Sequence, residues 1–202
     1  LNSIYYKFNP GKIEPSTETS GINTYKLIDK FAFENALYID VEQRLSNKIE
    51  LSYGLRLSSF LRLGQDELNI YQNDEAVVFN NELQIYQKAD PIGTESFKRS
   101  HVIKTFHNLE PRFALSYQLN DNTSIKGSYN RLSQYLHLLS NTSSPTPLDV
   151  WAPSGKYVKP QLLDQFAIGY FKNLNNDNLN ITNNIKKDKN IKAVPLTPVV
   201  PQ

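Results

Sequence analysis

Cysteine and methionine are both absent from the 202 residues. Without cysteine there is no disulfide framework, no thiolate metal site and no thiol nucleophile. No stretch approaches the roughly 18 uninterrupted apolar residues of a membrane-spanning helix, so helical spans are excluded. An excess of one charge is lacking too. Twenty-two basic against 20 acidic side chains leave a formal +2, too balanced for a polyanion, and no nucleic-acid partner is expected. The chain opens on Leu1 with no basic segment ahead of an apolar one, so no secretory signal is expected within it and it reads as a piece of something longer.

Signatures of catalysis are equally scarce. There is no glycine-rich phosphate loop, no Gly-x-Ser-x-Gly elbow and no Ser/His/Asp grouping. His101, His107 and His137 are the only histidines and none has another at ligand spacing, so neither a metal site nor a cofactor is expected. Asp40, Glu42 and Glu50 invite comparison with a glycosidase carboxylate pair, but charges along one face of a strand explain them without catalysis. No enzyme activity is expected.

What the sequence does contain is 23 aromatic residues and 22 asparagines at a mean hydropathy of -0.50, the composition of aromatic-rich strands among wet loops. From Phe33 to Leu45 odd positions carry Leu37, Ile39 and Val41 while even ones carry Glu34, Asp40 and Glu42. After Ser46 to Lys48, residues 49 to 63 repeat the pattern with Leu51, Leu55 and Leu57 against Glu50, Arg56 and Arg62. A third and a fourth run, 109–119 and 125–129, flank a turn at Asn120 to Asn122 and set Phe113 and Leu115 against Glu110, Arg112 and Lys126. A fifth covers about 162–172, and Ile4 to Phe8 ends another. Period two of this regularity predicts antiparallel strands joined by tight turns, an all-β up-and-down meander.

The connections alternate long and short: 9–29, then 46–48, then 64–104, then 120–122, then 137–160. Compact soluble domains rarely hold structureless loops beyond about 15 residues, whereas outer-membrane barrels place short turns on the periplasmic side and long loops outside. The expected fold is therefore a segment of a large transmembrane β-barrel, residues 1–174, with three long loops. Ala76 to Phe79 and Leu83 to Tyr86 suggest a hairpin within the second. Leu37, Ile39, Val41, Leu51, Leu55, Leu57, Phe113 and Leu115 are expected to face lipid, with Tyr117 and Tyr170 in an aromatic girdle at the turn end. Glu34, Asp40, Glu42, Glu50, Arg56, Arg112 and Lys126 are expected to face the lumen, so that Leu55→Arg disrupts assembly more than Ser58→Arg does. Residues 175–202, rich in Asn and Lys and ending Pro-spaced at Pro195, Pro198 and Pro201, read as a flexible tail. The alternative is a soluble β-sandwich that binds carbohydrate or peptide.

Leu109-Glu110-Pro111-Arg112-Phe113-Ala114-Leu115-Ser116-Tyr117 and Ser124-Ile125-Lys126-Gly127-Ser128-Tyr129-Asn130-Arg131 resemble barrel strands of TonB-dependent outer-membrane receptors. Residues 135–142, Pro147-Leu148-Asp149-Val150-Trp151, and Lys159-Pro160-Gln161 ahead of Asp164-Gln165 resemble the receptor group whose chains carry a carboxypeptidase-regulatory-like domain. The likeness covers about residues 1 to 174. It implies the C-terminal part of a 22-stranded barrel in the cell outer membrane, importing a nutrient such as a glycan, peptide or metal chelate. Implied partners are outer-membrane lipid, a plug domain and the TonB complex through an N-terminal part, and a surface lipoprotein. The chain departs from the family in lacking a signal peptide, a TonB box, the plug and the closing strand, and its six or so strands cannot close a barrel. Arg56, Arg62, Glu110 and Arg112 are the expected lumen- or plug-facing residues. Tyr135, His137, Trp151 and Tyr157, in or beside the third loop, are the candidate substrate-binding residues, since aromatic faces stack on sugars or peptides.

Overall fold

The computed structural model describes residues 1–14, 25–139, 150–174 and 177–189. Seven strands form its main sheet: β1 (Asn2–Phe8), β2 (Lys30–Ser46), β3 (Ile49–Leu63), β4 (Val102–Asn120), β5 (Thr123–Gln134), β6 (Gln161–Leu174) and β7 (Asp177–Lys189). They lie in sequence order and every neighbouring pair is antiparallel. The fold is thus the all-β meander that the alternation predicts. Among the described residues β1 and β7 are the two free edges of an open sheet. The only helical element there is a single 3-10 turn, Gln72–Asp74.

Side chains close the two tight turns. Ser46 Oγ accepts from the Lys48 N–H at 3.2 Å, and Asn120 Oδ1 accepts from the Asn122 N–H at 3.0 Å. Each offers the backbone a local partner where the ladder stops. The second long connection forms the expected hairpin, Val77–Asn80 against Ile85–Lys88, nested in sequence within a shorter pairing of Leu68–Ile70 with Gly93–Glu95. Its ends meet at Gly64, whose N–H donates to the His101 carbonyl at 2.8 Å. A Cβ there would lie 2.0 Å from the Lys98 carbonyl oxygen, so only glycine admits this close return.

Register sorts the side chains into two faces. Leu37, Leu57 and Leu109 form one row, Ile39, Leu55 and Pro111 the next, and Val41, Tyr53 and Phe113 the next. Tyr117, Ile125 and Tyr170 share a row beside the short turns. On the other face Tyr38, Arg56 and Glu110 align, as do Asp40, Gly54 and Arg112. Burial is the reverse of that in a soluble sheet: Glu110 is 3% exposed while Leu57 is 49% and Ile39 66% exposed. The polar face is concave, and at its turn end a trough of about 760 Å³ spans β2 to β6, with Glu42, Arg44, Glu50 and Lys126 on its walls. The small apolar core also lies on this face, at the loop end, where Ala32, Phe60 and Tyr135 are buried with Tyr6, Phe106 and Leu136 packed against them.

One expectation needs correcting. Residues 177–189 are not a flexible tail but strand β7, paired with β6 from Leu174↔Asp177 to Leu162↔Lys189. Their Asn and Lys content obscures a period-two placement of Leu179, Ile181 and Ile185, and ladder hydrogen bonds need no particular side chain. The remainder of the expected tail, 175–176 and 190–202, lies outside the described residues.

Candidate functional site

The concave face carries one connected polar cluster. Arg56 on β3 points inward because its parity is that of Ser58 and Phe60, opposite to Leu55 and Leu57. Its guanidinium lies between two carboxylates. Nη1 donates to both oxygens of Glu110 at 2.8 and 2.9 Å, and Nη2 donates to Glu34 Oε1 at 2.8 Å. Tyr6 on β1 donates its hydroxyl to the second Glu34 oxygen at 3.0 Å. Glu110 also accepts from Ser58 Oγ at 2.6 Å and from Ser133 Oγ. One cation thereby joins two anions across β2, β3 and β4, with neutral donors filling the lone pairs that remain.

Ser133 and Tyr135 reach this cluster because the β4–β5 ladder ends at Arg112↔Asn130, beside Pro111, which has no N–H to give. The Tyr135 ring stacks on Phe60 with centroids 4.6 Å apart and planes 3° from parallel. Its hydroxyl lies 2.6 Å from Ser58 Oγ and receives a hydrogen bond from Asn108 Nδ2 at 2.7 Å.

Of the residues singled out from sequence, Arg56 and Glu110 therefore meet. Arg112 stands apart, half-exposed, 3.6 Å from Asp40, whose carboxylate lies over Gly54: a Cβ at position 54 would be 2.0 Å from Asp40 Oδ1. Arg62 is buried and, among the described residues, has no carboxylate partner. It donates to the carbonyls of Phe31 and Leu63 at 2.6 and 2.8 Å and to Gln65 Oε1. These bonds pin the root of the second long connection to the sheet rather than leaving a charge free in the lumen.

The four aromatic candidates do not converge on one surface. Tyr135 and His137 are buried, and His137 Nε2 lies 2.9 Å from Ser154 Oγ. In the ribbon that pairs Leu136–Leu139 with Val150–Pro153, His137 faces Ala152 while exposed Trp151 aligns with Leu138 on the opposite side. Tyr157 donates its hydroxyl to the Asn69 carbonyl at 2.8 Å and meets Tyr71 edge-on at 5.0 Å. Sequence reasoning placed Glu34 on the right face but missed its bridging role, and it missed Tyr6, Asn108 and Ser133. The parity shared by Glu34, Arg56 and Glu110 was visible; the register that puts them side by side was not.

Burial lowers the pKa of His137 below its ordinary 6.5. The unfolded ribbon then binds protons more readily than the folded one, so this contribution to stability is fully present above pH 6.5 and is lost as the pH falls from there through the lowered pKa of the folded state. The single tryptophan, Trp151, reports on the same ribbon. Its fluorescence anisotropy is expected to drop between pH 7.5 and 5.5 and to stay level in His137→Gln. An equal drop in both proteins would place the titrating group elsewhere.

Among the described residues no cluster of three His, Asp or Glu side chains is arranged to hold a metal ion. Comparison with protein-family models, curated proteins and solved structures finds no match.

Proposed function

We propose that the chain is part of the barrel wall of a TonB-dependent outer-membrane receptor, of the group with a carboxypeptidase-regulatory-like domain, which imports a nutrient such as a glycan, a peptide or a metal chelate. The supporting observation is the inverted sheet: polar charges buried under loops on the concave face, and a continuous apolar face turned outward. Full burial of an aliphatic or aromatic side chain contributes about 1.5 to 3 kcal/mol. With Leu37, Ile39, Leu55, Leu57, Leu109, Phe113 and Ile168 each about half-exposed, water contact on that face forfeits on the order of 10 kcal/mol, comparable to the whole net stability of a domain. Lipid removes that deficit.

The apolar face also has a membrane's dimensions. On β4 it runs from Leu109 to Leu119, about 33 Å along the strand at roughly 3.3 Å per residue. A tilt near 40° reduces this to about 25 Å, the height of the apolar band on outer-membrane barrels. Above it a polar row crosses four strands, Ser3, Asn35, Ser59 and His107, and below it Tyr117 and Tyr170 stand where an aromatic girdle belongs.

In this reading the concave trough faces a plug domain, the long connections face outward, and the TonB complex and a surface lipoprotein act through other parts of the assembly. The protein transports rather than catalyses. A soluble binding sandwich would need a second sheet over the apolar face, and the described residues offer only two-stranded ribbons beyond the main sheet. Nitroxide labels decide between the two. In the reconstituted protein, labels at Leu55 and Leu57 are expected to contact lipid-soluble oxygen, and a label at Ser116 a water-soluble relaxant. Water contact at 55 and 57 would end the membrane reading.

A further inference from the structure

The hairpin of the second long connection is well tied in its backbone and uncovered in its side chains. Asn80 Oδ1 accepts from the Glu82 and Leu83 N–H groups at 2.9 and 3.1 Å, and Asn80 Nδ2 donates to Gln87 Oε1 at 3.0 Å. The Ala89 N–H reaches the Ala76 carbonyl at 3.0 Å, extending the pairing of Val77–Asn80 with Ile85–Lys88. Yet Val78, Phe79, Leu83, Ile85 and Tyr86 are each more than two-fifths exposed. Register puts Phe79 beside Tyr86 on one face and Val78 with Ile85 on the other, so both faces are apolar and open. Neither outer edge of the hairpin pairs with a further strand among the described residues. A lone two-stranded hairpin is marginal in water, and apolar surface gathered in this way marks a site of interaction.

Charge selects what covers it. Between residues 64 and 101 seven acidic side chains stand against three basic ones, although the whole chain is +2. Asp74 is paired with Lys156, but Glu75, Glu82 and Asp90 flank the hairpin exposed and without an ion pair among the described residues. We propose that the 77–88 hairpin is a docking surface for a peptide segment in which basic side chains alternate with apolar ones. The hairpin of a second copy, or an anionic lipid surface, would meet these carboxylates with like charge. A glycan fits less well, because Phe79 and Tyr86 meet at 63° and present no flat platform shared by both rings. The open edges instead offer main-chain N–H and C=O groups at strand spacing, which an extended peptide matches. The proposal deepens the transport reading by naming the cargo, and it rests on that reading for import but not for binding.

With no native cysteine, a bimane on Asn81→Cys reports from the exposed tip of the hairpin, and one on Asp121→Cys from a distant turn of the main sheet. The probe is a hexapeptide alternating Lys with Val and Phe, compared with its Glu counterpart and with a neutral oligosaccharide. In the refolded whole protein the Lys peptide is expected to saturate the signal at position 81 at a concentration at least tenfold below that of either competitor, and to leave position 121 unchanged. Phe79→Ser with Tyr86→Ser should weaken this response at least tenfold. Glu75→Lys with Glu82→Lys should do the same while strengthening the response to the Glu peptide. Unchanged heat-modifiable migration on gels checks that the main sheet of both variants is folded. Equal responses to the Lys and Glu peptides, no response at position 81, or a response that survives both variants overturns the proposal. So does a signal at position 81 that changes with the oligosaccharide alone, with anionic vesicles alone or with protein concentration alone. If position 81 responds as expected while labels at Leu55 and Leu57 report water, peptide docking stands and import falls, so the two failures are separable.

Discussion

Leu55→Arg is expected to cut the amount of correctly assembled barrel at least tenfold, whereas Ser116→Arg leaves it within about twofold. Leu55 stands between Ile39 and Pro111 on the outward face, four residues below the polar row through Ser59. That places it about 10 Å inside the apolar band at roughly 3.3 Å per residue and a tilt near 40°. An arginine near the midplane costs about 2 to 4 kcal/mol, and each 1.4 kcal/mol is a factor of ten. Ser116 opens on the trough of the concave face, where a guanidinium keeps its water. Heat-modifiable migration of the folded barrel on gels measures the assembled fraction. In a soluble sandwich with an unfilled apolar face the sign reverses, because Leu55→Arg would raise solubility. Equal effects of the two substitutions would exclude a lipid-facing role for β3.

The inward control in that comparison is Ser116 because the structure rules out Ser58, which alternation alone recommends. Position 58 has the correct parity, but its hydroxyl lies between Glu110 and Tyr135 in a fully enclosed place, so an arginine would be overpacked there for reasons unrelated to lipid. Alternation assigns a residue to a face and says nothing of what lies above it. The same limit explains the rest of what the sequence left unread. Strand existence, order and sidedness for 30–63 and 109–129 followed from period-two hydrophobicity with two turn signals. Pairing of Glu34 with Arg56, the inward fold of 152–155, and the burial of Tyr135 and His137 depend on loops whose path no local pattern records. Strand β7 is hidden for the opposite reason: Leu179, Ile181 and Ile185 carry the alternation, but the Asn and Lys between and around them give the segment the composition of a loop.

Removing Arg56 should destabilise the fold more than any other single change on the concave face. Arg56→Ala leaves Glu34 and Glu110 turned toward one another across β3, both largely buried, with 12% and 3% of their side-chain surface exposed. Breaking a buried ion pair from one side costs about 3 to 5 kcal/mol because the remaining charge is uncompensated, and here two carboxylates are stranded. Arg56→Lys should recover only part, since an ammonium lacks the planar fork that serves both acids at once. Ser58→Ala removes one donor from Glu110 while Ser133 and Arg56 remain, so about 1 kcal/mol is expected from it. Neutralising the acids separates charge from packing: Arg56→Leu combined with Glu34→Gln and Glu110→Gln should regain most of the stability lost by Arg56→Ala. Urea midpoints of the refolded protein give the comparison. If Arg56→Ala proves no more costly than Ser58→Ala, or the triple substitution is the least stable of all, then Arg56 is a solvated lumen charge and does not hold β2, β3 and β4 together.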